Sequence, residues 1–182
     1  MLFEWACESD SKMPQWFLDH GHAAVRLHPP QWDLRNTVHI ERVVALVEQA
    51  YTRGFNIYLW IALPCTPWSS WQHINAAVND ATRARLQGQR QESLVMVDQV
   101  TRATRRLRDA GVKFEMAFEW PRGADGWREP AVVNMLNVTG MKHCCDFDGC
   151  AYGLVDSRGL PVQKPWRVAT TTQRLVKPLS KR

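Results

Sequence analysis

The sequence lacks any long hydrophobic run, which excludes a membrane protein built on helical spans. No apolar stretch approaches the roughly 18–20 residues that a transmembrane helix needs. The first residues include an acid, Glu4, where a secretion signal has basic residues before a long apolar segment, so we expect an intracellular protein. With 182 residues, 45% hydrophobic and 23% charged, the chain has the length and composition of one globular domain.

Cysteine is scarce, and its pattern argues against both disulfides and zinc. The chain has five cysteines, an odd number, and no spacing typical of a disulfide framework. A structural zinc site usually has paired ligands at C-x-x-C or H-x-x-x-H spacing. His143, Cys144, Cys145 and Cys150 form neither pattern, and adjacent cysteines in a strand point to opposite faces. We therefore expect free thiols and no metal.

Acidic residues are missing from the end of the chain. Residues 159–182 contain six basic residues and no Asp or Glu, whereas the whole chain has a net charge of +5. We predict one domain over residues 1–172, followed by a basic tail over 173–182. A basic tail suits the phosphate backbone of a nucleic acid, and so does the arginine-rich run at 102–108. Ordinary solvated surface charge is the alternative for both segments.

Short apolar runs alternate with helical patterns along the chain. Strands are predicted at 2–7, 23–27, 57–63, 113–120, 141–147 and 166–171. Helices are predicted at about 11–20, 37–53, 92–110 and 130–137, with 76–91 as a loop or the start of a helix. Strands that alternate with helices form parallel sheets with right-handed crossovers. The predicted fold is α/β, a single doubly wound, mostly parallel, Rossmann-like sheet with helices on both faces.

Two loops after neighbouring strands carry the candidate chemistry, because ligands bind beyond the carboxyl ends of strands in such sheets. Cys65 follows the most apolar strand, and prolines on both sides stiffen its loop. It is a candidate covalent nucleophile, or else a small buried apolar residue. Glu119 ends the next strand, where partial desolvation would raise its pKa and suit proton donation. Pairing with Arg122 is the alternative for Glu119.

Tryptophan is abundant, with nine in the chain. Core packing is the expected role of most of them. Trp68 and Trp71 follow a strand end in a polar loop, so we expect that they are exposed and can stack on a base.

These loops together resemble the cytosine-5 DNA methyltransferases. That family has a PC motif whose Cys attacks C6 of cytosine, and an ENV motif after the following strand whose Glu contacts N3. Cys65 in PCTPWS matches the first motif and Glu119 in FEWP matches the second. Nearly the whole chain also resembles a group of proteins from mobile-element-rich eukaryotic genomes with PCT-x-W, EWPRG, FDGCAYGL and KPW-x-x-AT segments, which implies a family but no activity.

The methyltransferase resemblance implies a methyltransferase-type fold, adenosylmethionine as cofactor and a nucleic-acid base as substrate. The cofactor-binding residues are then expected to be Phe3, Glu8, Ser9, Asp33 and Pro64. The residues expected to contact nucleic acid are the two loop tryptophans with five basic residues, namely Trp68, Trp71, Arg122, Lys164, Arg167, Arg174 and Lys177.

Two departures from the family leave other functions open. The loop after the first strand has no glycine, although the family has glycines there, and Trp120 replaces the Asn of the ENV motif. An inactive Rossmann-like module that binds nucleic acid or protein is therefore an alternative. A thiol hydrolase or nuclease is another, and it would need a histidine, such as His73, near Cys65.

Overall fold

The computed structural model describes residues 1–72, 74, 77 and 79–180, and these residues form one six-stranded sheet with helices on both faces. The strands are β1 (Leu2–Trp5), β2 (Ala24–Leu27), β3 (Ile57–Ile61), β4 (Phe114–Pro121), β5 (His143–Asp148) and β6 (Pro165–Thr170). Their order is β2-β1-β3-β4-β6-β5. β6 runs antiparallel to both of its neighbours, β4 and β5, and the other strand pairs are parallel. The predicted Rossmann-like, mostly parallel α/β fold is confirmed.

The helices begin and end at local signals in the sequence. In the described residues they are α1 (Lys12–Asp19), α2 (Thr37–Thr52), α3 (Asp80–Asp109), α4 (Pro130–Thr139) and the single turn α5 (Val176–Leu179). The Asn79 side chain accepts a hydrogen bond from the Thr82 backbone N–H at 2.8 Å and caps α3. The helix thus starts well before the apolar periodicity that predicts it. Its first turns are largely exposed, so no apolar stripe in the sequence marks them. None of the helices in the described part of the chain is both long and apolar enough to cross a membrane.

The two faces of the sheet are covered unequally. Helices α2, α3 and α4 pack on one face, against a core that includes Phe3, Leu59 and Phe118. On the other face, α1 lies against β1 and β2, and α5 lies against β5. The strands between these helices are partly uncovered, and Trp60 and Glu119 are partly exposed there.

The segment predicted as a basic tail folds onto the sheet. Residues 173–180 form a 3-10 turn followed by α5. Their apolar side chains pack against Cys145 and Val168 of the sheet; they are Leu175, Val176 and Leu179. Arg174 and Lys177 are therefore held on an ordered surface, whereas Lys181 and Arg182 lie outside the described residues.

A cluster of aromatic rings closes the carboxyl end of the core, and it leaves no room for a side chain at Gly126. The Trp68 and Trp120 rings lie 5.8 Å apart, and both are buried. A Cβ atom at Gly126 would lie 2.2 Å from the Trp120 ring and 2.9 Å from the Trp68 ring. Neither ring can move away easily, because protein cores are densely packed.

We therefore expect Gly126→Ala to lower the free energy of unfolding by about 2 kcal/mol, as overpacked cores do. Gly123→Ala is the matched control, because a Cβ there would meet nothing within 4 Å, and it should stay within about 0.5 kcal/mol of the wild type. Urea denaturation measures both. Equal stability of the two variants would show that the ring cluster is loosely packed.

Candidate functional site

The strand order places a crevice next to β1. Strands β2 and β3 lie on opposite sides of β1, which makes β1 the switch point of the sheet. In open α/β sheets, ligands bind at such a point, beyond the carboxyl ends of the strands. A cleft of about 740 Å³ lies there, and both Cys65 and Glu119 line it. The two side chains that the sequence singles out therefore line the same cleft.

The loop that carries Cys65 is held by hydrogen bonds to the neighbouring elements. The Trp120 indole N–H donates to the Leu63 carbonyl at 2.8 Å, which ties the loop to β4. The Cys65 carbonyl accepts from the Trp68 backbone N–H at 3.0 Å. The Arg90 guanidinium donates to the Pro67 carbonyl, also on this loop, at 3.0 Å. The loop is therefore rigid, and Cys65 is partly buried at its start.

Glu119 lies in β4 near its carboxyl end, and its carboxyl group is partly protonated at neutral pH. Burial raises the pKa of this carboxyl to about 7, and the charge of Glu4 adds to the increase. The Trp60 indole and the Lys164 ammonium act in the opposite direction. A carboxyl with this pKa can donate a hydrogen bond to a ligand and can also exchange its proton.

Cys7 also lines the cleft, but its thiol stays protonated. Burial raises its pKa to about 12, and the neighbouring Glu4 charge contributes. Its Sγ contacts the Glu4 carbonyl at 3.5 Å. Since the thiolate is the nucleophilic form, Cys7 is not a competing nucleophile.

A second cavity, of about 370 Å³, shares part of its wall with the cleft. Glu8, Ser9, Asp33 and Pro64 all line it, so four of the five predicted cofactor residues come together. The fifth prediction, Phe3, is wrong, because its side chain is 1% exposed and lies in the core under the sheet. Alternate residues of a strand face opposite sides, and Phe3 faces the side that α2 and α3 cover.

Acidic and apolar side chains line this cavity together. Carboxylates of Glu8, Asp33 and Glu92 line it together with the apolar side chains of Trp32 and Met96. Arg35 also lines the cavity and binds two of these carboxylates. Its guanidinium donates to both oxygens of Asp33, at 2.9 and 2.8 Å, and to one oxygen of Glu92 at 2.9 Å, and it holds the pKa of Asp33 low. Asp33 thus holds Arg35 in the wall of the cavity. Direct polar contacts with a bound molecule are left to the other lining residues.

The backbone of Ala6 is strained where the cleft and the cavity meet. Ala6 has φ of 59° and lines both spaces. This left-handed conformation favours glycine and costs an ordinary residue about 1–2 kcal/mol. The loop after β1 thus has the left-handed turn that a glycine usually makes, although it contains no glycine. Backbone strain of this kind is concentrated at functional sites.

Of the basic residues predicted to contact nucleic acid, Lys164 lines the cleft. Its Nζ lies 4.3 Å from the centroid of the Trp166 ring, which lines the cleft too. Trp71 is 72% exposed, as expected of a stacking residue. The prediction for Trp68 is wrong, because this ring is 1% exposed and its indole N–H donates to Ser93 Oγ at 2.9 Å.

The other four predicted contacts do not gather at the cleft. Arg167 binds both oxygens of Asp146, at 2.8 and 3.0 Å. Arg174 lines a different cavity, at the amino ends of β3 and β4. Lys177 is carried on α5, and Arg122 follows β4, where its backbone N–H donates to the Pro165 carbonyl. The predicted basic footprint is therefore dispersed over the surface.

The arginine-rich run on α3 is largely engaged within the protein. Arg102 pairs with Asp98, Arg106 pairs with Glu41, and Arg108 donates to two carbonyls at the end of α4. This pairing favours the interpretation of the run as surface charge.

The cysteines near β5 are not brought together as metal ligands. Within the described residues, no group of three or more His, Cys, Asp or Glu side chains could hold a metal ion. Cys144 is exposed, whereas Cys145 is buried on the other face of its strand.

Several lining residues were not found from the sequence. They are Glu4, Lys12, Leu154 and Trp166 in the cleft, and His28, Trp32 and Met96 in the cavity. The sequence did mark Glu4, because it is an acid within the short apolar run of β1. All four residues of this strand are buried. The others come from distant parts of the chain, and no local pattern marks them.

Comparisons with protein-family models, curated proteins and solved structures give no match to this chain. Its function therefore has to be inferred from the chemistry of the cleft and the adjoining cavity.

Proposed function

We propose that the protein is an adenosylmethionine-dependent methyltransferase of the cytosine-5 type, which acts on a nucleic-acid base through a covalent bond to Cys65. The observation that carries this proposal is that Cys65 and Glu119 line one cleft whose wall is shared with a cofactor-sized cavity. The resemblance to PC and ENV motifs proposes the same two residues.

The two residues have complementary chemistry for a pyrimidine ring. A Cys65 thiolate that adds to C6 pushes electrons into the ring, toward C5 and N3. A protonated Glu119 beside N3 stabilises this charge by donating a hydrogen bond or its proton, and its pKa of about 7 keeps the proton available. A base within a duplex would have to leave the stack first, at a cost of a few kcal/mol.

The adjoining cavity would hold the cofactor. Adenosylmethionine supplies the methyl group when it is bound. Glu8 and Ser9 offer polar groups near the shared wall, and Trp32 and Met96 offer apolar surfaces to an adenine ring. Arg35 binds Asp33 and Glu92, and the third carboxylate of the cavity, that of Glu8, favours a positively charged ligand.

The proposal is tested by titrating the protein with adenosylmethionine in a calorimeter, and by following transfer of a labelled methyl group to single-stranded and duplex DNA and RNA. Saturable binding with transfer to a pyrimidine is the expected result. Binding without transfer to any base would contradict the proposed reaction, and absence of binding would favour the module without chemistry.

No histidine is found among the described residues that line the cleft. The histidine that a thiol hydrolase would need, His73, lies outside the described residues. No observation therefore favours that alternative.

A prediction for the bound polymer follows from Lys164. We expect Lys164→Glu to weaken DNA binding and to lower the slope of log K against log salt by about 0.9 per lost phosphate contact in a duplex. Arg174→Glu is the matched control, because Arg174 lies at the opposite end of the strands. Filter binding at several salt concentrations measures both slopes. An equal effect of the two variants would show that the polymer does not follow the cleft.

A further inference from the structure

Glu4 is a nearly fully buried carboxylate that lines the cleft. It is 4% exposed in β1, and its register partner in β3 is Trp60, which in turn is in register with Ala117 of β4. Residues in register share a face of a sheet, and so do alternate residues of a strand. Glu4 and Glu119 therefore lie on the same face, on the floor of the same cleft.

One oxygen of Glu4 has no partner among the residues that the structure describes. This atom is Oε2, and it is buried. Arg26 is the cation in register with Glu4 on β2, but its guanidinium donates to the Ser11 carbonyl and to Gln15 Oε1. Leaving a buried carboxylate oxygen without a hydrogen bond costs free energy, so proteins rarely keep one unless it has a use.

We propose that Glu4 is a ligand-binding residue, whose Oε2 accepts a hydrogen bond from an amino group of the molecule that fills the cleft. The inference rests on the proposed function in that it takes the cleft to hold a base beside adenosylmethionine. An amino group can come from either one, as the exocyclic amine of the base or the α-amine of the cofactor. Both donate N–H to a carboxylate, and the hydrogen bond gains strength from the charge.

The test compares binding of ligands with and without an amino group. Cytidine and the same nucleoside with pyrimidin-2-one as its base form the first pair of probes, and adenosylmethionine forms the second arm. Measurements are made in the Cys65→Ser protein, so that methyl transfer plays no part in them. A failure of the Cys65 chemistry therefore does not affect this readout.

In the first arm, a hydrogen bond to a charged acceptor is expected to make cytidine bind about tenfold tighter than its analogue. Glu4→Met removes the acceptor at similar volume and should reduce this preference to within about twofold. In the second arm, Glu4→Met should instead weaken adenosylmethionine about tenfold and leave the two nucleosides unchanged. The arm that responds identifies the source of the amino group. No change in either arm, or no binding of any probe, would overturn the proposal.

Two further variants separate binding from folding. Glu115→Met changes a carboxylate of β4 that lines the cavity at the other end of the strands, and it should alter neither arm. Glu4→Gln keeps an acceptor oxygen but loses the charge, so it should leave a preference of about threefold. If Glu4→Met does not fold, Glu4→Gln decides the question, since an undiminished tenfold preference would then contradict the proposed role.

Discussion

Cys65→Ser is expected to abolish methyl transfer, with a loss on the order of 10³-fold or more, as for other covalent nucleophiles. Addition to a ring carbon needs a thiolate, and a serine hydroxyl is far less ionised at neutral pH. The exchange is nearly isosteric and the loop is held by backbone hydrogen bonds, so the free energy of unfolding should change by no more than about 1–2 kcal/mol. Transfer of labelled methyl groups, with circular dichroism as the check on folding, measures both effects.

Cys144→Ser is the matched control for this prediction. Cys144 is an exposed thiol on β5, near the edge of the sheet, and it lines a different cavity from Cys65. It should retain full activity. A fully active Cys65→Ser variant would exclude the covalent mechanism, and Cys65 would then be a packing residue of a rigid loop.

The second large effect is expected in the pH dependence of stability. The pKa of Glu119 rises from 4.5 to about 7 on folding. The carboxyl is therefore protonated at higher pH in the folded protein than in the unfolded chain. Proton binding by Glu119 therefore stabilises the folded protein. This stabilisation is fully present below the unfolded pKa of 4.5 and is lost as the pH rises through about 7. From the size of this shift, the free energy of unfolding should fall by about 2–3 kcal/mol between pH 4.5 and 8.

Glu119→Gln should remove this part of the pH dependence, because the amide does not titrate. The variant should therefore be more stable than the wild type at pH 8, and closest to it near pH 5. Glu4, whose pKa burial also raises, contributes a further loss with rising pH that the variant keeps. Urea denaturation across this range measures the slope. A slope unchanged by Glu119→Gln would mean that the carboxyl is ionised in the folded protein at neutral pH.

The same variant separates stability from function. An amide at 119 can still donate a hydrogen bond to a ring nitrogen, but it cannot give up a proton. On the proposed mechanism, Glu119→Gln should therefore keep ligand binding while it slows methyl transfer. A gain in stability with a loss of activity is expected of a residue kept for function.

The order and type of the elements were predictable from local patterns. The apolar run of β3, the periodicity of α2 and the caps of the helices each depend on residues close in the chain. The spacing of the apolar residues shows whether one side or both sides of an element are buried, and this spacing can be seen in the sequence itself. The same reason leaves the early start of α3 undecided between a loop and a helix in the sequence, since its exposed first turns bury little.

The candidate site residues could be located from the sequence, but the strand order could not. The sequence located Cys65 and Glu119, because Cys65 follows one apolar strand and Glu119 lies near the end of the next. The carboxyl ends of parallel strands meet at one edge of the sheet. It did not show that β6 lies antiparallel between β4 and β5. That insertion brings Lys164 and Trp166 to the cleft.

The sequence by itself determined that this chain is an α/β sheet with a thiol in the loop after one strand and an acid near the carboxyl end of the next strand. Only the tertiary structure decided which tryptophan is buried, which arginines are paired and which acids share the cleft. Trp68 and Trp71 occur in similar local sequence, but in the described part of the chain it is Trp68 that contacts Ser93 and Arg90 of α3, whereas Trp71 is exposed. Burial and charge pairing arise from residues far apart in the chain, so no local pattern records them.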